Sequence, residues 1–304
     1  MRSIRPLAPI KSMNRRKNSK NRKLFKKKSR SNYKLGCIIS IIVLIPILYG
    51  IYLYSQQPPP QQADEPQTSV SNRIPSSKDL EIPTSLTSRQ EQIIRHTGYT
   101  VSYNRDLKLP NWVSYELTRK ETKGKEKRSN RFIADPLVKG AIATNADYTR
   151  SGYDKGHMAP AADMKWSPVA MNESFYFSNM CPQHPQLNRR GWKKLEEKIR
   201  DWAVADSAII IICGPIIKNQ SKTIGKNKVV VPQQFFKVIL SPFVKPMRAI
   251  GFLFNNEQSV DPLSAYVVTV DSIERLTNMD FFSLLPDEIE NKIEAEANYF
   301  HWPN

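Results

Sequence analysis

The chain has four histidines, His96, His157, His184 and His301, so an imidazole able to move a proton has few places to sit. His157 lies in the run Thr149-Arg150-Ser151-Gly152-Tyr153-Asp154-Lys155-Gly156-His157-Met158-Ala159-Pro160, where glycines flank an acid, a base and an imidazole. A neutral histidine near pH 7 can accept a proton from water, and Gly156 lets the backbone bend tightly or approach a ligand closely. Residue types alone leave two readings open, a general base and an ordinary structural histidine, of which the second is the more frequent.

A second concentration of polar residues, Ser178-Asn179-Met180-Cys181-Pro182-Gln183-His184-Pro185-Gln186-Leu187-Asn188-Arg189-Arg190-Gly191-Trp192, directly precedes an amphipathic stretch. Asn188, at its entrance, reads either as a helix N-cap or as a ligand for Mg²⁺, which takes oxygen ligands, keeps several waters and needs few protein groups. Glu196, two turns on, reads as an i,i+4 ion pair with Arg200 or as part of the same site. A different chemistry is also open. Cys181, His184, His157 and Cys213 include a Cys-x2-His pair and would suit a zinc-dependent hydrolase, although the spacing is incomplete.

The order DKGH, then SNMCPQ, then LNRRGWKKLE resembles the DNA/RNA non-specific endonuclease family, the endonuclease G-like branch of the ββα-metal (His-Me finger) nucleases. The resemblance runs through residues 99–118, 130–160 and 175–202, then Gly214-Pro215, residues 232–237 and residues 271–282. It implies a metal-dependent endonuclease with Mg²⁺ as cofactor, Mn²⁺ as a substitute, and DNA and RNA as substrates held through backbone contacts without strong sequence specificity. Carried over residue by residue, His157 matches the general base and Asn188 the direct metal ligand. Asn179 matches a second active-site asparagine that supports metal and histidine, and Glu196 an outer carboxylate that holds metal-bound water. Asp154 itself reads as shaping the turn or holding a neighbouring base, in preference to transferring a proton. Lys155 departs from the family's usual Asp-Arg-Gly-His, exchanging a planar fork for a point charge at the phosphate. A further phosphate-stabilising arginine precedes Asp135-Pro136, and the alignment is ambiguous between Arg128 and Arg131, with Arg131 slightly favoured. The alternative to an enzyme is a tethered nucleic-acid-binding protein in which Lys155 marks a decayed site.

Positioning these groups requires a sheet and at least one helix. Residues 100–103, 112–117, 208–212, 235–240, 249–254 and 266–270 have strand composition. Between them, residues 190–203 set Trp192, Leu195, Ile199 and Trp202 on one helical face, and a second helix is expected over 287–297. The fold class is therefore α+β, a mainly antiparallel sheet covered by helices and carrying a ββα-metal motif, preceded by one transmembrane helix.

The domain occupies residues 89–304, and what precedes it is of a different kind. Residues 1–34 contain 14 Lys or Arg and no acid, so the formal charge of +18 leaves only 32 basic against 28 acidic residues in the remainder. Bulk charge thus argues weakly for nucleic-acid binding. Residues 35–54, LGCIISIIVLIPILYGIYLY, are twenty uncharged residues, enough to span a bilayer, and residues 55–88 form a Pro/Gln/Ser-rich tether. Basic residues on one side place the N-terminal tail in the cytoplasm and the nuclease domain outside it, at a bacterial inner membrane in preference to a mitochondrial one. Cys181 and Cys213 could pair in an oxidising compartment. The oligomeric state stays open, with a homodimer among the options.

Overall fold

The computed structural model describes residues 76–218 and 221–303. The basic tail, the apolar run at 35–54 and the tether up to residue 75 lie outside the described residues, and among those described no helix is long and apolar enough to cross a membrane.

The chain enters through a short helix α1 (Ser77–Leu80) and strand β1 (Thr84–Ser85), followed by β2 (Gln92–Arg95), β3 (Thr100–Asn104) and the long β4 (Leu109–Thr118). A helical turn α2 (Asn145–Tyr148) leads to β5 (Asp154–His157), and α3 (Pro168–Glu173) to β6 (Met180–Gln183). A π-helical turn (Leu187–Trp192) runs directly into α4 (Lys193–Asp206). Then come β7 (Ala208–Ile216), β8 (Thr223–Ile224), β9 (Val229–Val230), β10 (Gln234–Ser241), β11 (Arg248–Asn255), β12 (Val267–Val268), α5 (Val270–Thr277), β13 (Met279–Asp280) and α6 (Asp287–Glu294).

Seven strands in the order β12-β11-β10-β7-β4-β3-β2 form one sheet in which every pairing is antiparallel. Its central strands are apolar on both faces, the pattern of a sheet covered on both sides. Ile209, Ile211 and Cys213 of β7 face one core with Phe235 and Ile239 of β10, Trp192, Leu195, Ile199 and Trp202. Ile210 and Ile212 face the other, with Phe236, Val238, Val270, Ile273, Phe281 and Ile293. The α+β expectation with a mainly antiparallel sheet therefore stands.

Three sequence expectations are corrected. The strand expected over 266–270 shrinks to the two residues of β12, because Thr269 caps α5 by accepting from the Ser272 amide. The helix expected over 287–297 ends at Glu294. The tether expected over 55–88 gives way to folded chain by residue 76: Leu80 is buried in the second core, β1 pairs with β13, and the Ser77 hydroxyl donates to Glu116. A short apolar segment inside a polar stretch is sufficient when a pocket already exists to receive it. Leu80→Ala should accordingly cost about 2–5 kcal/mol in urea unfolding of the full chain; unchanged stability would return this segment to the tether.

Candidate active site

On the first face of the sheet, β5 and β6 pair antiparallel, with Asp154 opposite Gln183, Gly156 opposite Cys181 and His157 opposite Met180. The chain leaving β6 enters the π-helical turn and then α4, so two strands and a helix form one unit that packs on the sheet. Gly156 is required here by close packing: a Cβ would lie 2.7 Å from the Cβ of Gln183 and closer still to its Oε1.

His157 is buried at 8% exposure between the rings of Phe132 and Phe175, at centroid distances of 5.7 and 5.0 Å. Its ring hydrogen-bonds the Lys155 carbonyl, while Nε2 is buried without a partner. A ring N–H given to that carbonyl leaves Nε2 as the free lone pair. Desolvation first, then the positive charges of Arg128 and Lys155, hold the imidazole down to about 3. It is neutral at physiological pH and able to take a proton. The other histidines are employed elsewhere: His96 is paired with Asp135 at 2.9 Å, the His184 ring nitrogen accepts from the Gln186 amide, and His301 meets Asn298.

Asn188 lies inside the π-helical turn, not at an N-cap, and its own amide donates to the His184 carbonyl. Its Nδ2 donates to Asp154 Oδ2 at 3.0 Å, and Arg189 grips both oxygens of the same carboxylate at 2.8 and 2.7 Å. Burial would raise the Asp154 carboxyl, but the hydrogen bonds from Arg189 and Asn188 outweigh it and hold it below its usual value. With its amide nitrogen committed, Asn188 keeps Oδ1 as the atom free to coordinate a cation.

Asn179 is fully buried. Its Oδ1 accepts from the Ala159 amide, and its Nδ2 donates to the carbonyls of Ala159 and Ser174, all at 2.8 Å. It pins the backbone just past His157. Lys155 donates to Asn145 Oδ1 at 2.9 Å and stands 4.0 Å over the Phe132 ring. Arg128 stacks on Phe175 at 4.9 Å, and its charge acts on both His157 and Glu196. Arg131 is exposed with no ionic or hydrogen-bond partner among the described residues. Of the two arginines left open by the alignment, Arg128 is the one that an aromatic face holds next to the imidazole.

Glu196 does not pair with Arg200, because Arg200 is taken by Asp163 at 2.8 Å and the other Asp163 oxygen accepts from Tyr115. Burial pushes Glu196 up to about 7, opposed chiefly by Lys237. Lys237 is completely buried on β10, with Nζ 4.4 Å from the Trp192 ring. It was missed from sequence although a signal existed: it is a lone charge within the apolar run 235–240. Asn145, Phe132 and Phe175 were missed as well, since nothing in their spacing points to His157.

Among the described residues, the one group of three His, Cys, Asp or Glu side chains close enough to share an ion is Asp271, Glu274 and Glu294. Cys181, His184, His157 and Cys213 therefore do not assemble a zinc site. Cys181 and Cys213 are both free and buried, the latter donating to the Met158 carbonyl, so the pairing considered for them is not formed. Asn188 Oδ1 and the Glu196 carboxylate, neither engaged in a hydrogen bond among the described residues, are hard oxygens of the kind that fit Mg²⁺.

A model of the DNA/RNA non-specific endonuclease family matches residues 76–288, starting where the described residues start. The chain belongs to this family. It is 34% identical over 214 residues to the mitochondrial nuclease EXOG of Danio rerio, covering 62% of this chain and 60% of that one. It is 32% identical to the mitochondrial endonuclease G of Homo sapiens, covering 62% and 69%, and 28% identical to a nuclease of Nostoc, covering 86% and 97%. The chain thus spans less than two thirds of the EXOG nuclease it matches. The crystal structure of an EndoG/EndoGI complex superposes with a TM-score of 0.64 at 28% identity, covering 71% of this chain and 95% of that one.

Because His157 is neutral when folded and titrates normally, near 6.5, when unfolded, the unfolded state binds the extra proton as pH falls. Stability from this site is complete above pH 6.5 and should decline between 6.5 and about 3, by at most ~1.4 kcal/mol per pH unit. Urea unfolding at pH 7 and pH 5 should show a smaller loss for His157→Asn than for wild type; equal losses would mean the imidazole is not buried neutral. Gly156→Ala should lower stability and metal affinity together by forcing β5 and β6 apart, and a variant as stable as wild type would contradict the packing.

Proposed function

We propose that this protein is a Mg²⁺-dependent endonuclease that hydrolyses phosphodiester bonds of DNA and RNA, with His157 as general base and Asn188 as the direct metal ligand. The observation that carries this reading is the buried, partnerless Nε2 of a neutral His157 beside Arg128 and Lys155. Family membership and the nuclease names of the relatives support it.

His157 Nε2 takes the proton of a water as that water attacks phosphorus, and burial keeps the ring unprotonated so that it can. Arg128, held by Phe175, and Lys155, held by Asn145, bring two positive charges to the phosphate as negative charge grows on its oxygens. Lys155 then supplies a point charge where the family uses arginine, and Arg128 supplies the fork. Asp154 orients Asn188, and Glu196 stands behind to hold water. A magnesium ion held by Asn188 would supply Lewis-acid stabilisation of the developing negative charge, and the leaving 3′ oxygen takes its proton from water, giving 5′-phosphate and 3′-hydroxyl ends. Since these contacts address the backbone, cleavage is insensitive to sequence and weakened by salt. Anchoring through residues 35–54, with the nuclease domain outside the cytoplasm, belongs to the same proposal and rests on the sequence pattern.

Incubation of the full chain with plasmid DNA and with RNA in Mg²⁺ or Mn²⁺ should degrade both, and EDTA should stop it. His157→Ala should lower the rate by roughly 10²–10⁴-fold; degradation at the wild-type rate by that variant would overturn the assignment. Arg128→Ala should cost roughly 10²-fold and Arg131→Ala much less, and the reverse order in the same assay would restore Arg131 to the site.

A further inference from the structure

Across the sheet from His157, the second core is bordered by an acidic cluster that the proposed reaction does not use. Asp271 and Glu274, one turn apart on α5, meet Glu294 from the last turn of α6, with one carboxylate oxygen of each within 4.8 Å of the others. Glu294 is 5% exposed, and its Oε1 is buried without a hydrogen-bond partner. The charged groups acting on it are all acids: Glu274, Glu290, Asp280 and Asp271. The base that acts on Glu274, Arg275, has its Nη2 tied to the Ser272 hydroxyl.

A buried ionised carboxylate needs a counter-charge, and none is present among the described residues beside Glu294. Protonation would relieve the repulsion, and burial with like charges does push Glu294 up to about 9, but it still leaves an acceptor oxygen unpaired. A cation would satisfy both demands. The donors are exclusively carboxylate oxygens, without imidazole or thiolate, which suits hard ions and not zinc. Their spread of up to 4.8 Å fits an ion with bonds of about 2.3–2.6 Å that tolerates irregular, mono- or bidentate coordination.

We propose that Asp271, Glu274 and Glu294 form a second, structural site for a divalent cation of the calcium class, distinct from the His157 site and clamping α6 onto α5. Its occupation ties down the C-terminal helix that covers β11 and contributes Ile293 to the core.

Thermal unfolding and calorimetric titration of the full chain with calcium chloride test this, in wild type, Asn188→Ala, Glu294→Gln and Asp271→Asn. Calcium is expected to raise the melting temperature of wild type and of Asn188→Ala alike. Glu294→Gln should lose that shift and bind at least about tenfold more weakly, while unfolding in EDTA at about the wild-type temperature because the amide is uncharged, as the metal-free carboxyl is. If Glu294→Gln does not fold, Asp271→Asn decides by the same criterion. No calcium shift in wild type, or an undiminished shift in the two cluster variants, would overturn the site and leave a carboxylate cluster that shares protons. Cleavage is not part of the readout, so the result stands apart from the nuclease proposal.

Discussion

The site depends first on one carboxylate. Asp154, at the start of β5, accepts three hydrogen bonds, one from Asn188 and two from Arg189, neighbouring residues of an element far from β5 in sequence. That contact joins the strand carrying His157 to the helical turn carrying Asn188, so the proposed base and the proposed ligand move as one body. Arg189 is mostly exposed, and an exposed ion pair adds little stability; its value is directional, because a bidentate guanidinium fixes the carboxylate plane. The π-helical geometry of the turn serves the same end, placing Asn188 and Arg189 together toward Asp154 before α4 takes up its regular period.

Burial then sets the electrostatics. Phe132 and Phe175 exclude water from His157 and at the same time seat the cations, Lys155 on one ring and Arg128 on the other. The same low-polarity walls therefore keep the imidazole neutral and strengthen the field of the positive charges beside it. Deeper in, Asp163, Arg200, Glu196 and Lys237 form a partly buried charged group beneath the site. Its members compensate one another unevenly: Asp163 is fully hydrogen-bonded, whereas Lys237 Nζ has only an aromatic face. Such a group costs stability and specifies where Glu196 must lie.

The two-faced sheet makes this affordable. With β7 and β10 buried on both sides, the first face can devote part of its area to polar residues while the second, packed by α5 and α6, carries an almost unbroken apolar core. The acidic cluster at the edge of that second core is the exception.

The sequence by itself determined the class of fold, the central strands and the helix of α4, because those depend on local periodicity: alternate side chains for strands, three- and four-residue spacing for Trp192, Leu195, Ile199 and Trp202. Through its resemblance to a nuclease family it also singled out His157, Asn188 and Glu196, whose residue types alone left structural readings open. What it could not decide was every choice between neighbours that look alike in one dimension. Arg128 and Arg131 differ only in whether Phe175 lies beneath them, and that ring is more than forty residues on. That the Asn179 carboxamide is spent on the backbone of Ala159 and Ser174 is likewise invisible in the sequence. Lys237 and Phe132 acquire meaning only from what packs against them. Local preference is a property of the chain, whereas desolvation and partner geometry belong to the folded state, and the roles of charged groups follow from the second.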